Sequence, residues 1–321
     1  MAYKINTYCT NILIILLIAT YSFAQDSNFV KKYDNLLSLK TFNYSDGFTF
    51  SNKATGLKYI PDNHSGIGLG VWFKYLPFDI FFRQEINIAS SKYHNIRTTD
   101  MQLKGYCKFF VGDIYIQRYR GFYEKIGDGY VNDNDLEKLP YKPDLSVFQF
   151  DMIGKYIFNH EQFSYKAGFT ANERQLISAG SVTVGAALYF IKIRSDSLLV
   201  ARQKCDLRSC NFGFNVGYAY NYVFGKRSTL FASGMLGVNA SASVLKNGLV
   251  NGVNLSPTLH IKLAYWLNYN KWSYGITATY NIIHHTINDD FIMYIHTQRA
   301  EMMVIRRIWC KSHKSNITHV I

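Results

Sequence analysis

His260, Lys262 and Trp266 fall at even spacing within one apolar segment, and residues two apart on a strand point to the same side. A histidine beside a lysine in a polar interior has two readings: a proton-linked or catalytic imidazole, or a hydrogen-bonded or hydrated lumen residue. His284 and His285 are neighbours, so on a strand they face opposite ways and form no chelating pair. Arg118 and Arg120 share a strand face with Ile114, Ile116 and Phe122. Guanidinium groups bind phosphate in a bidentate manner, so near an outer membrane interface this pair could hold lipid A phosphates; an ordinary interfacial girdle is the other reading. Of the five cysteines, Cys205 and Cys210 flank a short polar stretch, and in an oxidising compartment a local disulfide competes with two unpaired thiols. No second cysteine pair or nearby histidine completes a tetrahedral metal set. There is no nucleophile elbow, phosphate loop or dinucleotide fingerprint, so neither an enzymatic activity nor a cofactor is expected. Glu173-Arg174-Gln175 reads as an inward-folded constriction or loop anchor, or as a solvated turn.

These side chains have to be positioned by strands. Ile67, Leu69, Val71, Phe73 and Tyr75 alternate with Gly66, Gly68, Gly70, Trp72 and Lys74, which makes one apolar face and one small or polar face. Leu76-Pro77 turns the chain into Phe78, Ile80 and Phe82, alternating with Asp79, Phe81, Arg83 and Glu85. The same two-faced pattern returns over 101–110, from Ile114 to Tyr123 after a turn at Val111-Gly112-Asp113, over 148–156 and over 163–170. It returns again over 182–190, 212–220, 230–238, 259–267 and 272–282. Short turns alternate with long polar loops, as in a barrel with tight periplasmic turns and extracellular loops.

With 16% aromatic residues, only five prolines and a mean hydropathy of −0.09, the chain lacks the long apolar runs that helical spans need. Strands require apolar residues only at alternate positions, and in hydrocarbon only a closed sheet leaves no backbone group unpaired. The fold class is therefore all-β, an antiparallel up-and-down transmembrane β-barrel of about 12 strands, with 14 as the alternative. The count does not close cleanly between Thr170 and Cys210. Lysine or arginine facing lipid at the midplane costs about 2–4 kcal/mol. Arg83, Glu85, Lys104, Lys108, Gln117, Asp151, Lys155, Lys166, His260 and Lys262 are accordingly assigned to the lumen, and a strongly basic interior is expected.

Residues 1–24 have the form of an export signal: Lys4, an apolar run from Ile12 to Ala19, and Ser22-Phe23-Ala24 before Gln25. Cleavage after Ala24 leaves a short periplasmic lead (25–37), the barrel (38–309) and an atypical polar tail (310–321). The formal net charge is +13, but the basic residues are spread among aromatics, without a nucleic-acid-binding pattern. The expected partners are outer-membrane lipid and the barrel-insertion machinery, with no nucleic acid. Three roles fit: a narrow cation-lined pore or a packed barrel working through its loops, a surface interaction or assembly protein, and a lipid-modifying enzyme.

The segments Gly66–Tyr75, Asp113–Tyr123, Glu173–Ser181 and Gly217–Asn221 together resemble an uncharacterised outer-membrane family of the Bacteroidetes, a domain of unknown function. The resemblance runs from about Asp26 to His285. It implies an exported barrel and no known activity, substrate or catalytic residue. The C-terminus departs from it, because Met302 to Trp309 is a poor version of a final strand ending in an aromatic residue.

Overall fold

The computed structural model describes residues 25–52, 56–61, 65–76, 78–85, 99–126, 139–200, 203–245, 248–249, 254–288 and 291–309. The strands are β1 (Val30–Lys32), β2 (Leu37–Asn52), β3 (Leu57–Pro61), β4 (Ser65–Phe73), β5 (Phe78–Glu85), β6 (Thr99–Tyr106), β7 (Phe110–Ile126) and β8 (Tyr141–Ile157). After the short helix α1 (Tyr165–Phe169) come β9 (Glu173–Gln175), β10 (Ala179–Val200), β11 (Gln203–Phe224), β12 (Ser228–Leu245), β13 (Gly248–Leu249), β14 (Asn254–Asn268), β15 (Trp272–Asn288) and β16 (Phe291–Ile308). All pairings are antiparallel. The order β2-β4-β5-β6-β7-β8-β10-β11-β12-β14-β15-β16 closes on itself where β16 meets β2 from Met293↔Asn52 to Ile308↔Leu37. The expected ring of 12 is thus present, and the C-terminal strand that looked poor in sequence is the one that closes it. The tail 310–321 lies outside the described residues.

The ring is not uniform in height. β3 and β4 descend one after the other along β2, and β3 also pairs directly with β7, Leu57↔Ile126 to Pro61↔Phe122. β5 and β6 therefore form a short hairpin wedged into the base between β4 and β7. Among the described residues the rim has ten strands and the base has twelve. The stretch 51–65, read from sequence as loop, contains β3.

The described residues begin and end at the base, at Gln25 and Trp309, where the turns 107–109, 225–227 and 269–271 also lie. Gly225, at φ 70°, makes the β11–β12 turn in the left-handed region that glycine tolerates best. Gly121, at φ 84°, makes a bulge in β7 after which Phe122 and Tyr123 are both buried. The outward face is an apolar belt: Leu69, Phe82, Phe214, Val216, Leu236 and Leu263 are all exposed. Tyr75, Tyr156, Tyr222, Tyr269, Trp272 and Tyr274 ring its lower edge, the aromatic girdle of a membrane interface. No described helix is long and apolar enough to cross a membrane.

The inward face is packed. An upper cluster joins Phe48, Tyr59, Tyr119, Phe122, Val147 and Tyr189 with their neighbours, and a lower one joins Phe42, Phe81, Tyr106, Tyr165, Phe231 and Trp266 with theirs. The inward glycines of β4 leave room for this filling. A Cβ on Gly68 would lie 2.1 Å from the Phe42 ring, and one on Gly70 would lie 2.8 Å from that of Phe81.

Candidate functional site

Between the two clusters lies a layer of buried charge built by alternating residues on neighbouring strands. Asp113 on β7 is its centre and is wholly buried. Lys262 Nζ donates to Asp113 Oδ2 at 2.6 Å, the Tyr106 hydroxyl donates to Oδ1 at 2.7 Å, and Lys155 Nζ stands 3.9 Å away. Lys155 also donates to the Tyr165 hydroxyl (3.2 Å), which in turn donates to Ser233 Oγ (3.3 Å). The Lys104 ammonium lies over the Phe81 and Phe169 rings at 4.2 and 5.0 Å. Gln149 donates to Asp151 (2.6 Å), and Gln117 donates to the Tyr119 hydroxyl (3.0 Å) and Asp100 (3.4 Å). Asp100 also pairs with Arg299.

His260 has both ring nitrogens engaged: Nδ1 donates to Asn281 Oδ1 at 2.9 Å, and Nε2 accepts from the Tyr189 hydroxyl. The ring is buried and stacks on Tyr189. No nitrogen remains to receive a substrate proton, so the hydrogen-bonded lumen reading fits it.

The segment between β8 and β10 folds into the base of the lumen. Read from sequence as a lipid-facing strand, 163–170 instead forms α1 and its flanks. Ser164 caps the helix by accepting from Ala167 N at 3.0 Å, and Phe163, Tyr165, Ala167 and Phe169 face the interior rather than lipid. Strands around the ring hold this plug by hydrogen bonds to its backbone: Trp266 Nε1 to Gly168 O (2.9 Å), Lys40 Nζ to Thr170 O (3.1 Å), Arg307 Nη2 to Ala171 O (2.6 Å) and Asn221 Nδ2 to Ser164 O (2.8 Å). Asn172 donates to Asp79 at 2.7 Å, and Asp79 also pairs with Lys40 at 2.6 Å. β9 pairs with β1, so Glu173-Arg174-Gln175 is the inward anchor and not a solvated turn. The lead 25–37 is drawn in with it, since Val30, Tyr33 and Asn35 are buried. This plug accounts for the strand count that failed to close after Thr170.

Several sequence assignments change. Lys166 is on α1, 3.6 Å from Glu173 Oε1, and not on a strand. Lys108 sits half-buried in the β6–β7 turn and does not line the lumen, because that turn is 107–109 and not 111–113. The same shift takes Asp113 out of a turn and into the charge layer. Cys205 and Cys210 both lie in β11, five positions apart at about 3.3 Å per residue. That separation far exceeds disulfide reach, and Cys210 is a free, exposed thiol. Burial raises the Cys107 thiol above its ordinary value, opposite to what a nucleophile needs. Arg83 and Glu85 pair with Gly68 and Gly66 in β5, but their side chains lie outside the described ones. Nor is the interior strongly basic among the described residues: the buried cations Lys40, Lys104, Lys155, Lys262, Arg299 and Arg307 face the buried carboxylates Asp79, Asp113, Asp151, Glu173 and Glu301. No group of three potential metal ligands occurs among the described residues.

Arg118 and Arg120 are exposed on the outward face of β7 as expected, whereas Phe122, expected on that face with them, turns inward past the Gly121 bulge and is buried. What sequence reading missed is the set of partners for the lumen residues. Asp79, Asp100, Arg299 and Arg307 each have the inward parity of their strands, which was the available signal.

A closed transmembrane β-barrel filled by its own side chains and an inward-folded segment is the class these features define. The chain belongs to the family described as domain of unknown function DUF4421, whose model matches residues 24–307. A search of curated proteins finds no match. Among solved structures, the translocator domain of autotransporter NalP from Neisseria meningitidis is similar at 12% identity, with 96% of this chain and 97% of that one covered and a TM-score of 0.43. The outer membrane protease OmpT from Escherichia coli is similar at 7% identity, with coverage of 90% and 100% and a TM-score of 0.35. The toluene transporter TodX of P. putida is similar at 7% identity, with coverage of 86% and 91% and a TM-score of 0.24.

Proposed function

We propose that this chain is a sealed outer-membrane barrel that works as an interaction or assembly protein through its two ends and outer surface, and is neither a pore nor an enzyme. The observation that carries this reading is the plug, with Trp266, Lys40, Arg307 and Asn221 all bonded to its backbone inside a wall whose buried charges nearly balance. A narrow cation-lined pore needs a continuous water path and uncompensated lumen charge, and the buried packing supports neither. A lipid-modifying enzyme working through His260 needs a reachable imidazole, and this one is buried with both nitrogens bonded. The reading includes export with cleavage after Ala24, insertion by the barrel-assembly machinery, and an origin in the Bacteroidetes, to which the sequence resemblance points. Planar-bilayer recording of the refolded chain tests it: no steps above baseline are expected, and steady anion-selective conductance would restore the pore.

A further inference from the structure

Among the described residues the buried cations and carboxylates of the lumen nearly balance, so the lumen they line does not hold the chain's formal excess of positive charge, +13. Part of it stands on the outward face of four adjacent strands. The pairs Arg118↔Phe148, Phe148↔Lys192 and Lys192↔Arg208 put three cations in one row across β7, β8, β10 and β11. The row above, Arg120↔Ser146, Ser146↔Arg194 and Arg194↔Asp206, adds two more. At about 4.8 Å between strands, Arg118 lies about 10 Å from Lys192 and about 14 Å from Arg208, with about 7 Å between rows. Arg118, Arg120, Arg194 and Arg208 are exposed and Lys192 is half-exposed. The carboxylate within these rows is Asp206, 3.8 Å from Arg194 Nε and 3.9 Å from Arg208 Nε. Asp144, one row higher, accepts from Ser195 Oγ (2.8 Å) and Asp196 N (2.7 Å).

What lies below the cations decides what they meet. The next row down is Ile116, Phe150 and Phe190, and the one after it is Ile114, Met152, Leu188 and Phe212. The cations therefore mark the upper edge of the apolar belt, at the end opposite the turns 107–109, 225–227 and 269–271. On β12 the outward position opposite Arg208 is Val244, which ends the row of cations on that side. A groove of about 440 Å³ runs between β7, β8 and β10, lined among others by Ile116, Arg118, Phe148, Lys192 and Arg194.

We propose that this face binds one phosphorylated glycolipid of the outer leaflet, of the lipid A type, with its phosphates on the arginine rows and its acyl chains down the apolar rows beneath. Five cations in two rows, with Asp206 among them and Asp144 and Asp196 one row higher, leave a local excess of positive charge that matches an occupant with more than one phosphate. Guanidinium groups on a flat sheet offer phosphate paired donors, and a charge at the rim of hydrocarbon gains more from a fixed counter-ion than one in open water. The site is independent of whether the lumen conducts, so its failure and that of the sealed-barrel reading are separately visible.

The test is native mass spectrometry of the purified full-length chain in detergent, titrated with lipid A or with dephosphorylated lipid A. The wild type is expected to retain one lipid A and to bind the dephosphorylated form far more weakly. The triple variant R118Q/R194Q/R208Q is expected to lose about tenfold or more in affinity while keeping the heat-dependent gel shift of a folded barrel. Asp206→Asn is expected to tighten binding, a gain that damage to the fold does not produce. If the triple variant does not fold, the wild type alone decides: added salt should weaken lipid A binding, because rim charges are screened, and leave the dephosphorylated form unaffected. Equal binding of both lipids by the wild type, or of lipid A by the wild type and the folded triple variant, would overturn the site.

Discussion

Replacing Asp113 with asparagine keeps the shape at the centre of the charge layer and removes its charge. Tyr106 retains an acceptor, but Lys262 and Lys155, both buried, lose the carboxylate at 2.6 and 3.9 Å. At an effective dielectric of about 20, those separations correspond to attractions of about 6 and about 4 kcal/mol. Relaxation offsets part of this, and breaking one side of a buried ion pair typically costs about 3–5 kcal/mol. The expected loss for Asp113→Asn is therefore about 3–5 kcal/mol. Urea unfolding of the refolded barrel, followed by tryptophan fluorescence and by unboiled gel mobility, measures it. Lys262→Met in the Asp113→Asn background removes one of the two stranded ammonium groups, so the double variant should fall short of the summed single losses by about 1–3 kcal/mol. A loss below about 1 kcal/mol for Asp113→Asn, or strict additivity in the cycle, would refute the account of the layer as a mutually dependent charge cluster.

The glycines supply a second prediction. A Cβ on Gly217 would meet Gly234 O at 2.2 Å, while one on Gly234 would meet nothing within 4 Å. Gly217→Ala should thus cost about 1–3 kcal/mol and Gly234→Ala less than about 0.5 kcal/mol, read as shifts in the temperature at which unboiled mobility is lost. In the plug, a Cβ on Gly168 would stand 2.2 Å from the Phe231 ring and 2.3 Å from Asn221 Oδ1. Gly168→Val should expel the segment and expose it to protease from the base side, with the barrel still closed; unchanged resistance would count against the plug's fit. Finally, Cys205 and Cys210 should both take up maleimide in denaturant without reductant, and a mass unaltered by maleimide at these two positions would restore the disulfide.

Strand periodicity made most of the wall legible. Where one face meets lipid and the other a packed lumen, parity alone sorts Phe212, Phe214 and Val216 from Asn211, Gly213 and Asn215, and the structure sorts them the same way. The plug escaped for the same reason: Phe163, Tyr165, Ala167 and Phe169 alternate as a strand does, yet Ser164 caps a helical turn and buries them all. Period-two alternation over so few residues does not distinguish a lipid face from an interior one. Val111-Gly112-Asp113 looked like a turn because glycine and aspartate often make turns. Its parity with Tyr115, Gln117 and Tyr119 is the stronger signal, and it places Asp113 on the lumen face. The pairing of distant charges, such as Asp113 with Lys262, depends on ring closure and has no local signature.

The wedged hairpin β5–β6 gives the molecule the profile of a bottle. Its neck, ten strands around, is narrow enough to be filled by the wall's own side chains, among them the stacked Phe48 and Tyr119 rings 4.5 Å apart. Its belly, two strands wider, needs a separate stopper, and the hairpin that widens it also supplies the seat: Asp79 holds Asn172, the Phe81 ring lies under Lys104, and Tyr106 meets Tyr165 edge-on at 5.4 Å. Drawing the stopper would leave the side-chain packing of the neck in place. The two obstructions stand in series, and any state of this chain that passes solute has to clear both.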